Sequence, residues 1–419
     1  MVSFLHAADL HLDSPLLKLE RYEGAPVEAL RSATRRALEN LAALAVDRGV
    51  DFVLIAGDIY DGSWRDYNTG LFFASQMSRL GEAGIPVFLV TGNHDAASRM
   101  TRSLRLPENV HRFPVEEPGT VRLDEIGAAI HGQGFATPAV NRNLAAGYPP
   151  ALPGYVNIGL LHTGAMGGGH HAPYAPCTLD DLRSKGYDYW ALGHVHERKV
   201  LSERPFIAFP GNIQGRHARE TGPKGCLSVT IDGAGPEVAF HPLDAIRWEV
   251  LRVDAATCED GFAVLDRFQD LLADRLAENG GLPLAVRVEI DGIAPAHGEL
   301  AARPGRWINE IRLAGADVSG GRVWIERVNI RTSPPARTDP LDADGPLGEI
   351  LSFLDDLRDD PTGPLDPEAL LADLMKKLPR ELKEGEDGIH PDDPDWLAGT
   401  LESVGSLLLQ RLSARKPDS

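Results

Sequence analysis

At 419 residues the chain is long enough to bury a large core and to form two or three domains. Charged and apolar fractions of 25% and 43% exclude wholesale disorder and a fibrous fold, and no apolar run approaches a membrane span. The formal charge of −19 is uneven: residues 337–419 hold 20 acidic against 9 basic side chains, over half of the excess. Such a chain is poorly equipped to hold DNA unaided by counterion release. Cys177, Cys226 and Cys258 are too far apart for a thiolate zinc cluster made from neighbours, and they fit a reducing compartment. The first residues lack the basic and apolar regions of a secretory leader, so a cytoplasmic location without membrane contact is expected.

In chain order, Ser3–Ala8 reads as a short apolar strand. Val27–Arg48 reads as a helix with Leu30, Leu38, Leu41, Leu44 and Ala45 on one side. A buried strand, Asp51–Ala56, stops at Gly57; a helix over Asn68–Glu82 leads to a strand over Ile85–Thr91, stopped by Gly92. Two successive strand–helix–strand units imply a largely parallel sheet that places ligands at the carboxyl ends of its strands. Further strands are predicted at Val156–Leu161, Tyr187–Leu192, Pro205–Phe209 and Cys226–Ile231, and their crowding suggests a second sheet packed on the first. Composition changes near Leu243–Arg247. Strands at Trp248–Val253, Leu284–Ile290 and Val323–Ile330, with a helix over Gly261–Glu278, make a small α+β module. Beyond Ser333-Pro334-Pro335, acidic Pro-rich connectors separate three leucine stripes, at 347–357, 370–378 and 397–412. The expected division is 1–245, 246–335 and 336–419.

Five motifs fall at predicted strand ends: Asp9-Leu10-His11, Gly57-Asp58-Ile59-Tyr60-Asp61, Gly92-Asn93-His94-Asp95, His162-Thr163-Gly164 and Gly193-His194-Val195-His196. Strand ends of one sheet system converge on one crevice, so these residues can meet. Carboxylate, imidazole and amide oxygen suit Mn, Mg, Fe or Zn. One aspartate can bridge two such ions about 4 Å apart, the spacing of hydrolytic pairs. His6 and His131, inside apolar strands, read as structural histidines; His170 and His171 follow three glycines and read as loop residues. Arg216 and His217 follow a turn from which they could meet a phosphate backbone.

With these motifs the chain resembles the calcineurin-like metallophosphoesterase superfamily, and within it the SbcD-type DNA repair exonucleases, YhaO-like branch. The branch features are Ala8-Asp9-Leu10-His11-Leu12-Asp13-Ser14-Pro15, Tyr187-Asp188-Tyr189-Trp190-Ala191-Leu192-Gly193-His194, and Pro210-Gly211-Asn212-Ile213-Gln214-Gly215-Arg216-His217. The resemblance covers roughly residues 1–245, and the following module more weakly. It implies a four-layer αββα sandwich, then a small α+β capping domain that touches DNA, then a helical segment that docks on a partner. It also implies two divalent cations, Mn foremost. Asp9, His11 and His196 would hold one, Asn93, His162 and His194 the other, and Asp58 would bridge both. His94 would contact the scissile phosphate and protonate the leaving oxygen, with Asp95 orienting its ring. Relatives often carry a histidine where this chain has Asp61, and a glycine where it has Leu161.

The implied activity is a metal-dependent DNA exonuclease or endonuclease acting with an SbcC-like coiled-coil ATPase, which would supply the basic DNA-binding surface. Such proteins commonly dimerise through helices of the core. Two other readings stand beside it: a small-molecule phosphodiesterase or phosphatase of the superfamily, and a non-catalytic binding subunit. Phosphoprotein phosphatases have Arg-Gly directly after the second aspartate of the Gly-Asp motif, whereas Asp61 here is followed by Gly62-Ser63-Trp64.

Overall fold

The computed structural model describes residues 1–14, 26–61, 67–97, 105–164 and 174–335, with scattered positions between 349 and 404. Strands β1 (Val2–Ala7), β2 (Phe52–Ala56), β3 (Val87–Val90) and β4 (Val110–Arg112) pair in parallel in that order. Antiparallel β11 (Gly225–Asp232) and β12 (Gly235–Pro242) extend the far side of β1, giving a six-stranded sheet. The second six-stranded sheet has a parallel centre of β6 (Ala128–Gln133), β7 (Val156–His162), β8 (Tyr189–Gly193) and β10 (Phe206–Phe209). Antiparallel β5 (Gly119–Leu123) and β9 (Lys199–Glu203) close its edges.

Alternation along each strand explains the layering. In β1, Phe4 faces the other sheet and Leu5 and Ala7 face the helices. Phe52, Leu54 and Phe88 join Phe4 in an apolar layer with Ile130, Ile158, Leu160 and Tyr189 of the second sheet. On the outer side, α1 (Val27–Arg48) and α2 (Tyr67–Glu82) lay Leu38, Leu41, Ala45, Phe73, Met77 and Leu80 over Leu5, Val53, Ile55 and Leu89. The fourth layer is thinner: Leu144, Tyr148 and Leu182, from short turns of helix, pack on Leu161, Trp190 and Leu192. This is the four-layer sandwich that the family resemblance implied; the strand–helix–strand pattern and the later crowding of strands pointed to its parallel sheet and to a second sheet packed on it. Strands at the edges, β4, β5, β9 and β12, are half exposed and escaped the apolar reading.

His6 is fully buried, with Nδ1 3.0 Å from the Tyr189 hydroxyl and Nε2 3.1 Å from the Leu192 carbonyl. His131 meets Thr120 and Asn157 at 2.8 and 3.1 Å. Both are satisfied structural histidines, as expected. Cys177, Cys226 and Cys258 are all buried and free.

A smaller sheet has the order β13 (Arg247–Asp254), β14 (Leu284–Ile293), β15 (Val323–Ser333). By contact density the chain forms two compact units. The first is Met1–Val250 with Ala273–Arg287 and Gly315–Arg327; the second is Leu251–Leu272 with Val288–Ala314 and Val328–Ser419. In the first, Trp248 meets Trp324 edge to face and donates its indole N–H to the Gly215 carbonyl at 3.0 Å. In the second, Trp307 is buried against Gly261 and donates to the Glu299 carbonyl at 3.2 Å. Of the three leucine stripes, the second falls in the helix Pro367–Lys377; the other two lie largely outside the described residues, as do His170 and His171. Among the described residues no helix is long and apolar enough to cross a membrane.

Candidate metal centre

Five strands deliver polar side chains from their carboxyl ends to one place. Past β1 come Asp9 and His11, past β2 Asp58, past β3 Asn93 and His94, at the end of β7 His162, and past β8 His194 and His196. Asp9, His11 and His196 bring one donor atom each within 4.8 Å of one another, and Asp58, His162 and His194 do the same. His11 Nε2 lies 3.1 Å from His196 Nε2 and 4.0 Å from Asp58 Oδ2, joining the two groups. His162 Nε2 lies 3.4 Å from Asp58 Oδ2 and 3.0 Å from Asn93 Oδ1. All seven residues singled out from the sequence as ligands are therefore brought together, with Asp58 between the two groups.

The backbone is bent to do this. Asp9, His11, Asp58 and His194 all have positive φ, at 52°, 43°, 50° and 107°. Each such non-glycine residue costs about 1–3 kcal/mol, so four at one site mark a function that the rest of the fold supports. Hydrogen bonds hold the bends: Asp9 and His11 amides donate to Gly57 and Asp58 carbonyls, both at 3.0 Å. The His194 amide donates to both Asp9 oxygens, and the His94 amide to Asp58 Oδ1 at 2.9 Å. Glycines provide room. A Cβ on Gly92 would collide with the Asp58 carboxylate, and one on Gly193 with the Ala56 carbonyl.

Burial governs the electrostatics. Desolvation, reinforced by the charge of Asp58, pushes the Asp9 carboxyl well above its ordinary value, and desolvation pushes Asp58 up to about 6. Desolvation likewise lowers His11, and it takes His162 down to about 3. The result is a buried group of neutral imidazoles and crowded carboxylates whose donor atoms converge. A cation between them favours the ionised carboxylates and takes up the imidazole lone pairs. Oxygen and imidazole donors without thiolate fit a hard or borderline divalent ion.

His94 stands at the rim, its side chain 38% exposed. The carboxylate that meets it is Asp61, at 2.8 Å from Nδ1, not Asp95 as the adjacent position suggested. Asp95 is buried and turned back, accepting the amides of Ile59, Tyr60 and Gly92 at 3.0–3.2 Å. It braces the β2 and β3 turns against each other. Asp61 also accepts from Ser14 Oγ at 2.5 Å and lies 3.5 Å from Arg216 Nη1. Although burial raises Asp61, the nearby imidazoles of His11, 3.7 Å away, and His94, at 2.8 Å, hold it well below the usual carboxylate range. Arg216 does reach the site, but its guanidinium engages Glu220 and Asp61. His217 is 55% exposed at the side chain, its Nε2 3.6 Å from Glu220. Glu220 escaped the sequence reading altogether, since nothing in its loop distinguishes it. Asp61 carried a signal, three residues after Asp58 where relatives often have a histidine.

Residues 2–198 match the calcineurin-like phosphoesterase family, and residues 248–333 match the middle domain of the metallophosphoesterase YhaO. The uncharacterized metallophosphoesterase YhaO of Bacillus subtilis is 36% identical over 298 residues, covering 70% of this chain and 72% of its own. The chain belongs to the calcineurin-like metallophosphoesterases. Membership makes it a phosphoester hydrolase of a metal-dependent family. Weaker similarity extends to the DNA double-strand break repair protein Mre11 of Saccharolobus solfataricus, 26% identical over 48% of this chain. The SbcD component of the SbcCD nuclease of Staphylococcus saprophyticus is 25% identical over 47% of it. The matches span 51% and 59% of those two relatives.

Proposed function

We propose that this metallophosphoesterase hydrolyses phosphodiester bonds of DNA, as an exonuclease or endonuclease of DNA repair that works with an SbcC-like coiled-coil ATPase. The convergence of seven donors, Asp58 among them and central, with His94 beside them, carries the hydrolytic part. Similarity to a break-repair protein and to a nuclease component supports the choice of DNA. Asp9, His11 and His196 would hold one cation and Asn93, His162 and His194 the other, with Asp58 serving both. Mn is the first candidate, ahead of Mg, Fe and Zn. Bound there, such a pair supplies Lewis acidity that activates water and neutralises charge on the phosphoryl oxygens.

The chain's own residues do the rest. His94 presents Nε2 to the leaving oxygen while Asp61 fixes its ring through Nδ1, so a proton can be delivered as the P–O bond breaks. Asp95 acts on the same step indirectly, by bracing the turns that carry Asp58 and His94. The same reading assigns 1–245 to the nuclease, 246–335 to a capping and DNA-contacting domain, and 336–419 to partner docking. Exposed Leu370 and Leu374 support the last assignment. An acidic chain that acts on DNA needs basic surface from elsewhere, and an ATPase partner provides it.

The test is cleavage of linear duplex and single-stranded DNA by the purified protein with Mn, alone and with an SbcC-like ATPase from the same organism. Metal-dependent cleavage, lost in Asp58→Ala, is expected. Turnover of small phosphodiesters uninhibited by DNA, without DNA cleavage under either condition, would transfer the site to a small-molecule substrate.

A further inference from the structure

Glu220 lies in the loop between β10 and β11, 6% exposed, and its carboxylate is turned to the donors and an imidazole of the site. Oε1 is 2.7 Å from His196 Nδ1 and 3.1 Å from Arg216 Nη2. Oε2 accepts from the Arg216 amide at 2.8 Å and from Asn212 Nδ2 at 2.9 Å. Two acceptors do not rest 2.7 Å apart without a proton between them. The guanidinium and the two N–H donors converge on the carboxylate as acceptor, and Arg216 Nη2, 3.2 Å from Nδ1, is shared with Oε1, so the hydrogen in the shorter 2.7 Å contact is the one on Nδ1. The His196 lone pair is then on Nε2, the atom 3.1 Å from His11 and 4.0 Å from Asp9.

We propose that Glu220 is a positioning residue that fixes His196 in the Nδ1–H tautomer and aims Nε2 at the cation held by Asp9 and His11, with Arg216 holding the carboxylate in place. The inference rests on the metal-dependent reading above. It also separates the two halves of the centre. In the other half, His162 satisfies Nδ1 with the neutral Ala56 carbonyl at 2.8 Å. A charged orienter on one half and a peptide carbonyl on the other make Glu220 specific to a single cation. Partners of this kind change metal affinity by about 10- to 100-fold when removed. Sequence spacing gives no hint of the role, because 24 residues separate Glu220 from His196.

The test titrates metal-free full-length protein with Mn and reads free Mn by electron paramagnetic resonance, so both equivalents are seen without reference to activity. In Glu220→Gln one equivalent should weaken by about 10- to 100-fold while the other keeps its affinity. Glu326→Gln, which removes an equally buried carboxylate paired with Arg287 at 2.9 Å, should leave both equivalents alone. Unchanged binding in Glu220→Gln, or equal weakening of both equivalents, overturns the proposal. Wild-type protein that binds no Mn overturns the metal-dependent reading along with it. Nitrogen-15 spectra of the wild type give an answer even if the variant fails to fold: Nδ1–H at His196 supports the role, and Nε2–H overturns it.

Discussion

If His94 delivers a proton to the leaving oxygen, its importance must depend on the leaving group. Replacing His94 by Ala should slow DNA cleavage by about 10²–10⁴-fold, the usual contribution of a general acid. The same variant should lose far less on bis-p-nitrophenyl phosphate, whose nitrophenolate departs without protonation. Asp61→Asn tests the orienting contact. The charge-assisted bond at 2.8 Å is worth about 1.5–3 kcal/mol, and 38% exposure of the His94 side chain argues for the lower end. At about 1.4 kcal/mol per tenfold, DNA cleavage should fall roughly tenfold. Asp61 acts through His94, so the double variant should be no slower than His94→Ala alone. Steady-state rates on both substrates for the four proteins decide the matter. Additive losses, or equal losses of His94→Ala on both substrates, would refute the reasoning.

How much of this was visible in the sequence follows from local chemistry. Strands such as Phe52–Ala56 are buried on both faces and read as unbroken apolar runs ended by glycine. The candidate ligands follow directly, so the turns that carry them announce themselves. What sequence spacing misled was the partner of His94. Asp95 is the next residue, but both lie in the short helix Asn93–Ala97, where neighbours project about 100° apart. Asp95 turns inward to the Gly92 amide while His94 points to the rim and finds Asp61 from the turn after β2. Glu220 was illegible for a related reason. Its meaning comes from Arg216 and Asn212 holding it under His196, and a loop without periodicity leaves no trace of that. The half-exposed edge strands were missed because apolar patterning marks only what is buried.

Three further outcomes are expected. Asp58→Ala, which removes the carboxylate proposed to serve both cations, should abolish hydrolysis and lower bound metal measured by elemental analysis; full metal content would contradict that position. Gly193→Ala should destabilise the fold by at least about 2 kcal/mol in urea unfolding, because its Cβ has nowhere to go but the Ala56 carbonyl. A wild-type-like midpoint would refute that packing. The last concerns acid stability and His6, whose burial takes its pKa down to about 3 from 6.5. The folded protein keeps this ring neutral, whereas the unfolded chain takes up a proton below pH 6.5. Stability from this residue is therefore complete above pH 6.5 and falls progressively as the pH drops towards 3. At pH 5 the loss amounts to about 2 kcal/mol, from about 1.4 kcal/mol per pH unit. Other histidines titrate too, so the quantity to measure is the difference between wild type and His6→Gln. Between pH 6.5 and 5, the wild-type unfolding free energy should fall more steeply by about one proton's worth of slope. His6→Gln should be the less stable protein at pH 7.5, having lost bonds to Tyr189 and Leu192, and the gap should narrow as the pH falls. Parallel pH curves would mean that His6 is charged in the folded state, and that the space between the two sheets is wetter than its packing indicates.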